Sequence, residues 1–217
     1  VDPTDGVTPV DRVDPLVAAT GGEIGFRSAA VPGLQIYAAF WGLDLDSELL
    51  FVGDGGITEP SRESRRYGVE LGVFWTPLDW LILDVDYAWS HARFQGSDPA
   101  GDRIPGAVED VASVGVAVDR TDGWFGGARL RYLGEAPLIE DNSVRSDSTL
   151  LVNVETGYRF NERLSAFLTV FNLFDAEDND ITYFYESQLP GEAVPVEDIH
   201  FHPVEPRTFR GTIAYRF

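Results

Sequence analysis

Cysteine, methionine and lysine are all missing from the 217 residues. Without cysteine there is no disulfide, no thiolate metal site and no thiol nucleophile. Methionine is absent even at position 1, where Val1 stands, and no charged segment leads into an apolar run as a secretory signal would. The chain is therefore expected to be processed or to be the tail of a longer protein. No apolar stretch approaches the roughly 18 residues that a spanning helix needs, which excludes a helical membrane protein. Positive charge is scarce: 16 basic residues, all arginine, face 36 acidic ones for a net charge of −20. That balance excludes nucleic acid as a partner, because a phosphate backbone needs a basic face. The all-arginine usage reads as compositional bias. A Ser-His-Asp grouping on a recognisable elbow, a phosphate-cradling glycine loop and zinc-ligand spacing are missing too, so no enzyme activity, metal or cofactor is expected.

What is present is alternation. A mean hydropathy of −0.10 with 24% charged residues resembles a soluble protein. Strands of a membrane barrel, however, need apolar residues on one face only and stay polar on average. Turn signals divide the chain into expected strands at 22–28, 34–46, 65–75, 80–94, 110–119, 124–134, 148–160, 164–174 and 207–217. In the last, Phe209, Gly211, Ile213, Tyr215 and Phe217 share one face and Arg210, Thr212, Ala214 and Arg216 the other. Leu81, Leu83, Val85, Tyr87 and Trp89 likewise oppose Asp84, Asp86 and Ser90. Segment 164–174 is apolar on both faces, which alternation does not explain.

A soluble β-domain with one wet face, binding carbohydrate or protein, alternates equally well. Connection lengths separate the two. Short turns at 29–33, 76–79, 120–123 and 161–163 interleave with long loops at 47–64, 95–109, 135–147 and 175–206. Short turns on one side and long loops on the other are the layout of outer-membrane barrels. Aromatics also collect near strand ends, among them Trp75, Trp80, Trp124, Tyr158, Phe160 and Tyr215, where an interfacial girdle sits. The expected fold is all-β, an antiparallel transmembrane β-barrel segment in the bacterial outer membrane.

The final third resembles the C-terminus of TonB-dependent receptors. Phe167-Leu168-Thr169-Val170-Phe171-Asn172-Leu173-Phe174-Asp175 resembles that family's next-to-last strand. Glu205-Pro206-Arg207-Thr208-Phe209 resembles the opening of its last strand, and Tyr215-Arg216-Phe217 its terminal aromatic pattern. Upstream, Glu23–Arg27, Arg66–Glu70, Ile104-Pro105-Gly106 and Tyr132-Leu133-Gly134 resemble recurring pieces of its barrels, while residues 1–21 carry no likeness. The resemblance implies a barrel of about 22 strands with a plugged lumen, of which residues 1–217 are the C-terminal portion without the plug domain. It implies active uptake of a ferric siderophore or another scarce nutrient, coupled to the inner-membrane energy-transducing complex. The implied partners are the receptor's own N-terminal plug, a TonB-type energy-coupling protein, outer-membrane lipid and lipopolysaccharide. The barrel-assembly machinery joins them, reading Tyr215 and Phe217. A passive porin shares the alternation and the loop sorting, so it stands as the alternative.

Residue candidates follow from the same pattern. Inward-facing charges at Glu70, Asp84, Asp86, Arg129, Arg131, Glu155 and Arg159, with Arg210 and Arg216, are expected to meet ligand or plug. Arg129 and Arg131 are expected to pair across strands with Glu155. His200 and His202 stand two apart beside Glu197 and Asp198 in the last long loop, on one face if the segment is extended. No third ligand is evident from spacing, so no metal is assigned. That loop, 175–206, holds nine acidic and no basic residues. It either concentrates cationic ligands or is simply solvated.

Overall fold

The computed structural model describes residues 17–52 and 57–217. The first 16 residues of the expected barrel portion and part of the 47–64 loop thus lie outside the described residues. Thirteen strands follow one another with no helix among the described residues. They are β1 (Ala19–Val31), β2 (Leu34–Leu45), β3 (Leu49–Val52), β4 (Ile57–Pro60), β5 (Ser64–Leu78), β6 (Leu81–Phe94) and β7 (Asp110–Val118). Then come β8 (Gly123–Leu133), β9 (Thr149–Arg159), β10 (Leu164–Phe171), β11 (Asn179–Ser187), β12 (Val196–Pro203) and β13 (Thr208–Tyr215).

Nine of them form one antiparallel sheet in the order β1-β2-β5-β6-β7-β8-β9-β10-β13. These are the nine expected strands, and their connections sort as expected. β1–β2, β5–β6, β7–β8 and β9–β10 join through tight turns, and every other link is long. Two long connections are not plain loops. The 47–64 segment carries the β3–β4 hairpin and the 175–206 segment the β11–β12 hairpin, each a separate two-stranded sheet. β1 and β13 each have a single neighbour in the large sheet among the described residues.

Because cross-strand partners share a face, the register sorts the side chains. One face carries Ile24, Phe40, Val69, Val85, Val114, Leu130, Val152, Leu168 and Phe209 on successive strands. The other carries Glu70, Asp84, Asp86, Ser113, Arg129, Arg131, Glu155, Thr169 and Arg210.

The apolar face is bare. Ile24, Phe26, Phe40, Phe209 and Ile213 are more than half exposed, Ile213 at 79%. Buried hydrophobic residues among those described are only Ala92, Phe94, Ile104, Ala136 and Leu138, all beside the long connections. A soluble chain of this length buries roughly 70% of its surface around a central core, so the soluble β-domain reading is overturned. A contiguous apolar surface of this extent needs a nonpolar medium against it.

Segment 164–174 also finds its explanation. Strand β10 stops at Phe171, and its polar-face aromatics are packed rather than exposed to solvent. The Phe167 ring meets Phe125 edge-on at 6.1 Å. The Arg210 guanidinium lies 4.8 Å over the Phe171 ring, and Arg159 lies 4.1 Å over Phe125. Arginine stacking of this kind keeps an aromatic on a wet wall without leaving its face bare.

Candidate functional site

The polar face is built as rungs across neighbouring strands. Asp84 on β6, Gly115 on β7 and Arg129 on β8 are consecutive partners. The Arg129 guanidinium spans the glycine and donates two hydrogen bonds to Asp84, at 2.7 and 2.9 Å, and a third to the Ser113 hydroxyl at 2.8 Å. A Cβ at Gly115 would lie 2.4 Å from Asp84 Oδ1 and 2.7 Å from Arg129 Nη2, so the pair needs a residue with no side chain beneath it. Gly72 serves Tyr37 in the same way: the phenol ring covers the glycine, and its hydroxyl donates to Asp86 at 3.2 Å. Glu155 accepts a hydrogen bond from the Thr169 hydroxyl at 2.9 Å. Arg159 pairs with Asp119 at 2.8 Å and donates to the carbonyl of Arg120.

The expected pairing of Arg129 and Arg131 with Glu155 is thereby corrected. Glu155 stands opposite Gly127 and Arg131 opposite Leu151, and Arg129 turns the other way, to β6. Arg131 and Glu70 form no ion pair among the described residues. A hollow of about 500 Å3 lies along this wall, lined by Asp84, Phe125, Arg129, Asn153, Glu155 and Arg159 among others. The structure brings Asp84, Arg129, Glu155 and Arg159 to that hollow. Glu70, Asp86 and Arg131 stand elsewhere on the same face.

The long connections form a second assembly. Arg62 donates to the Gly101 carbonyl at 2.8 Å and to Glu140 at 3.1 Å, pairs with Asp98 at 3.5 Å, and covers the Phe94 ring at 4.6 Å. Backbone bonds from Arg103 to Glu140 and from Gly106 to Pro137 join two of these connections directly. Ile104, 1% exposed, packs with Ala92 and Phe94 at the end of β6. Within this cap the Asp141 carboxyl is held below the ordinary aspartate range, first by the Ser143 amide N–H and second by the Ser143 hydroxyl.

The last connection is tied at its base by residues that sequence reading had marked only as a likeness. Asn172, 3% exposed, donates to the carbonyls of Ala176 and Glu205 at 2.9 and 3.1 Å and accepts from the Ala176 amide. Asp175 accepts the Arg207 amide at 2.9 Å. The Asn-Leu-Phe-Asp and Pro-Arg pieces are thus two halves of one clasp.

Beyond the clasp, His200 and His202 share a face of β12, as expected for an extended segment. Each ring is engaged with β11: His200 stacks on Tyr185 at 3.9 Å, and His202 Nδ1 lies 2.8 Å from Asp180. Glu197 stands opposite Glu186, and Asp198 accepts the Ile199 amide at 2.7 Å. Among the described residues no three His, Asp or Glu side chains converge as a metal site.

Toward the tight turns the apolar face ends in rings. Trp124, Tyr158 and Phe160 form a chain of edge contacts at 5.3 and 5.2 Å, and Tyr215 meets Phe217 at 5.2 Å. Toward the long connections, Tyr67, Trp89 and His91 cluster within 6.3 Å of one another. Aromatic belts bounding an apolar band, with polar residues behind it, define the wall of a transmembrane β-barrel. No helix among the described residues is long and apolar enough to cross a membrane, and in this architecture the strands do so.

Residues 19–173 match the family model described as TonB dependent receptor-like, beta-barrel, and the chain belongs to that family. Its nine-stranded sheet is thus part of an outer-membrane β-barrel of that family. The catecholate siderophore receptor Fiu of Escherichia coli (strain K12) is 27% identical over 194 residues, covering 85% of this chain and 24% of the relative. The structure of the ferric-catecholate import receptor Fiu from K12 E. coli in its closed form superposes with a TM-score of 0.69 at 24% identity. That match covers 92% of this chain and 27% of the other. The ferric yersiniabactin uptake receptor FyuA from Yersinia pestis gives 0.69 at 18% identity, over 92% of this chain and 30% of its own. The chain therefore spans about a quarter, 24%, of the length of the curated relatives it matches.

Proposed function

We propose that residues 1–217 form the C-terminal portion of the barrel of an outer-membrane active-transport receptor, which takes up a ferric siderophore or a comparably scarce nutrient. The observation that carries this reading is the family match laid on a nine-stranded wall with a charged face and, among the described residues, a single neighbour for each of its two edge strands. An open sheet edge is untenable in lipid, so further strands complete the cylinder, and a domain N-terminal to them fills the lumen. The inner-wall charges Glu70, Asp84, Asp86, Arg129, Arg131, Glu155 and Arg159 face that plug and the ligand's path. Asp84 and Arg129 are already bonded to each other and serve chiefly as wall, leaving Glu70 and Arg131 to engage a partner.

His200, His202, Glu197 and Asp198 stand on the hairpin of the last outer connection, which meets an arriving ligand first. Energy for release into the periplasm comes from a TonB-type protein acting on the N-terminal part, and Tyr215 and Phe217 are read by the assembly machinery. Outer-membrane lipid and lipopolysaccharide contact the apolar face.

Deletion of the full-length gene tests the reading under iron limitation, with radiolabelled ferric siderophores as probes. Uptake of one of them is lost on deletion, restored by complementation, and equally lost when the energy-coupling protein is removed. Uptake indifferent to the energy-coupling protein returns the assignment to a passive porin.

A further inference from the structure

Beside the long connections lies a second hollow, of about 190 Å3, between β11 and the β8–β9 connection. Strand β11 contributes five successive residues, 179–183. Side chains of a strand alternate, so it is the edge of β11, without a strand partner among the described residues, that borders the space. Opposite stand Leu133 at the end of β8 and Ala136 and Leu138 of the connection. Ala136 and Leu138 are 4% and 6% exposed and give the hollow an apolar floor. Leu133 and Thr149, which line it as cross-strand partners, follow Arg131 and precede Leu151 by two residues on the polar face. The hollow therefore stands at the long-connection end of that face.

Its charged groups are of one sign. Asp147 and Asp180 line the hollow, and no basic residue does. Asp180 meets His202 at 2.8 Å. Asp147 has no hydrogen bond or ion pair among the described residues. Arg145, two residues before it, is engaged by Glu135 and Asn142. The hydroxyls of Ser146 and Thr149 are also taken, by the Ala136 amide and the Asn179 carbonyl. Two carboxylates without a third ligand do not make a metal site, and none is found among the described residues. What is left open is an apolar slot with a free carboxylate at its rim.

We propose that this hollow receives one arm of the cargo, an aliphatic stem ending in an ammonium group, with Asp147 as its counter-charge. The inference rests on the transporter reading, which supplies the cargo, and narrows it to ligands that carry a basic arm. Sites that enclose a whole small molecule measure roughly 300–1,000 Å3, so about 190 Å3 holds an arm and leaves the rest of the ligand outside. A stem lies along Leu133, Ala136 and Leu138 while its charged tip reaches the rim, the division that basic side chains themselves adopt on apolar surfaces. An ammonium donating to a carboxylate forms the stronger, charge-assisted kind of hydrogen bond. The nine acidic residues of 175–206, with no basic one among them, raise the local concentration of cations beside the slot, so this connection gathers basic ligands as well as being solvated.

The test is binding to the purified full-length receptor in detergent, read by quenching of its tryptophan fluorescence. The probes are ferric complexes of one catecholate and one hydroxamate chelator, each made with a free primary amine on an alkyl arm and with that amine acetylated. The free-amine form of at least one chelator is expected to bind roughly tenfold more tightly than its acetylated twin, the gain of one charged hydrogen bond. Asp147→Asn brings that ratio close to one, and Asp147→Glu keeps most of it. Heat-modifiable gel mobility shows that each variant is a folded barrel. Equal affinity of both forms, a ratio that survives Asp147→Asn, or no binding of either amine form overturns the inference. Energy-dependent uptake of ferric chelates by cells carrying the Asp147→Asn receptor decides separately whether the transporter reading stands.

Discussion

Arg129 shows how one residue's partner is chosen by the residue between. Its guanidinium had two carboxylates within reach, Glu155 on the adjacent β9 and Asp84 two strands away on β6. Gly115, standing between Asp84 and Arg129 in the register, leaves an open path across β7, and two bonds and a hydroxyl contact follow. Arg129 is 46% exposed and Asp84 18%, so solvent screens the pair and its coupling is about 1 kcal/mol. A double-mutant cycle of Arg129→Ala and Asp84→Ala in the full-length receptor, read by thermal unfolding in detergent, should return that coupling. Zero coupling would mean the bonds contribute nothing to the wall.

The inward orientation of Arg129 was legible from alternation. Its partner was not, because alternation gives the face of a residue and says nothing of a neighbour two strands off. Pairing in space needs the register, and the register needs the pattern of glycines that let long side chains cross.

At the scale of elements, the nine wall strands were legible because one face of each must be apolar and the period of two is hard to hide. The hairpins in the outer connections were not. The β11–β12 segment mixes an aromatic run, Thr182-Tyr183-Phe184-Tyr185, with dense acidic residues, and its position between wall strands outweighed its β-branched and aromatic content. Among the described residues the strands of these hairpins pair only with each other, so no neighbouring wall strand marks them in the sequence. The clasp beneath β11–β12 was visible as a family likeness without a physical reason. Its reason is geometric: Asn172 and Asp175 hold positive φ of 47° and 57°, which Asn and Asp tolerate better than most residues, and Asn172 satisfies carbonyls at both ends of the connection. Asn172→Ala removes three hydrogen bonds at a buried position and is expected to cost about 1–3 kcal/mol. Limited proteolysis of the 175–206 connection in intact cells should accelerate in that variant while the wall stays resistant. Unchanged cleavage would show that the clasp does not hold the connection.

The whole molecule is organised by its surroundings more than by a core. Its buried apolar residues sit beside the long connections, where Ile104 packs with Ala92 and Phe94 at the end of β6, and its greatest apolar surface lies between two aromatic belts. Composition misleads here, since a mean hydropathy near zero averages a lipid-facing side with a wet one. The family was legible in the terminal motifs, and the family model over residues 19–173 bears it out.

The central claim is that the two faces of this sheet see lipid and water respectively. β6 tests it most directly, because it crosses the full wall and the chain has no native cysteine. Single cysteines placed from Leu83 to Ala88 in the full-length receptor, spin-labelled in native outer membranes, report access to oxygen dissolved in lipid and to a water-soluble nickel complex. Positions 83, 85 and 87 should be oxygen-accessible and positions 84, 86 and 88 nickel-accessible, alternating with a period of two. A uniform profile, or nickel access at 83, 85 and 87, would contradict the account and return this sheet to an aqueous setting.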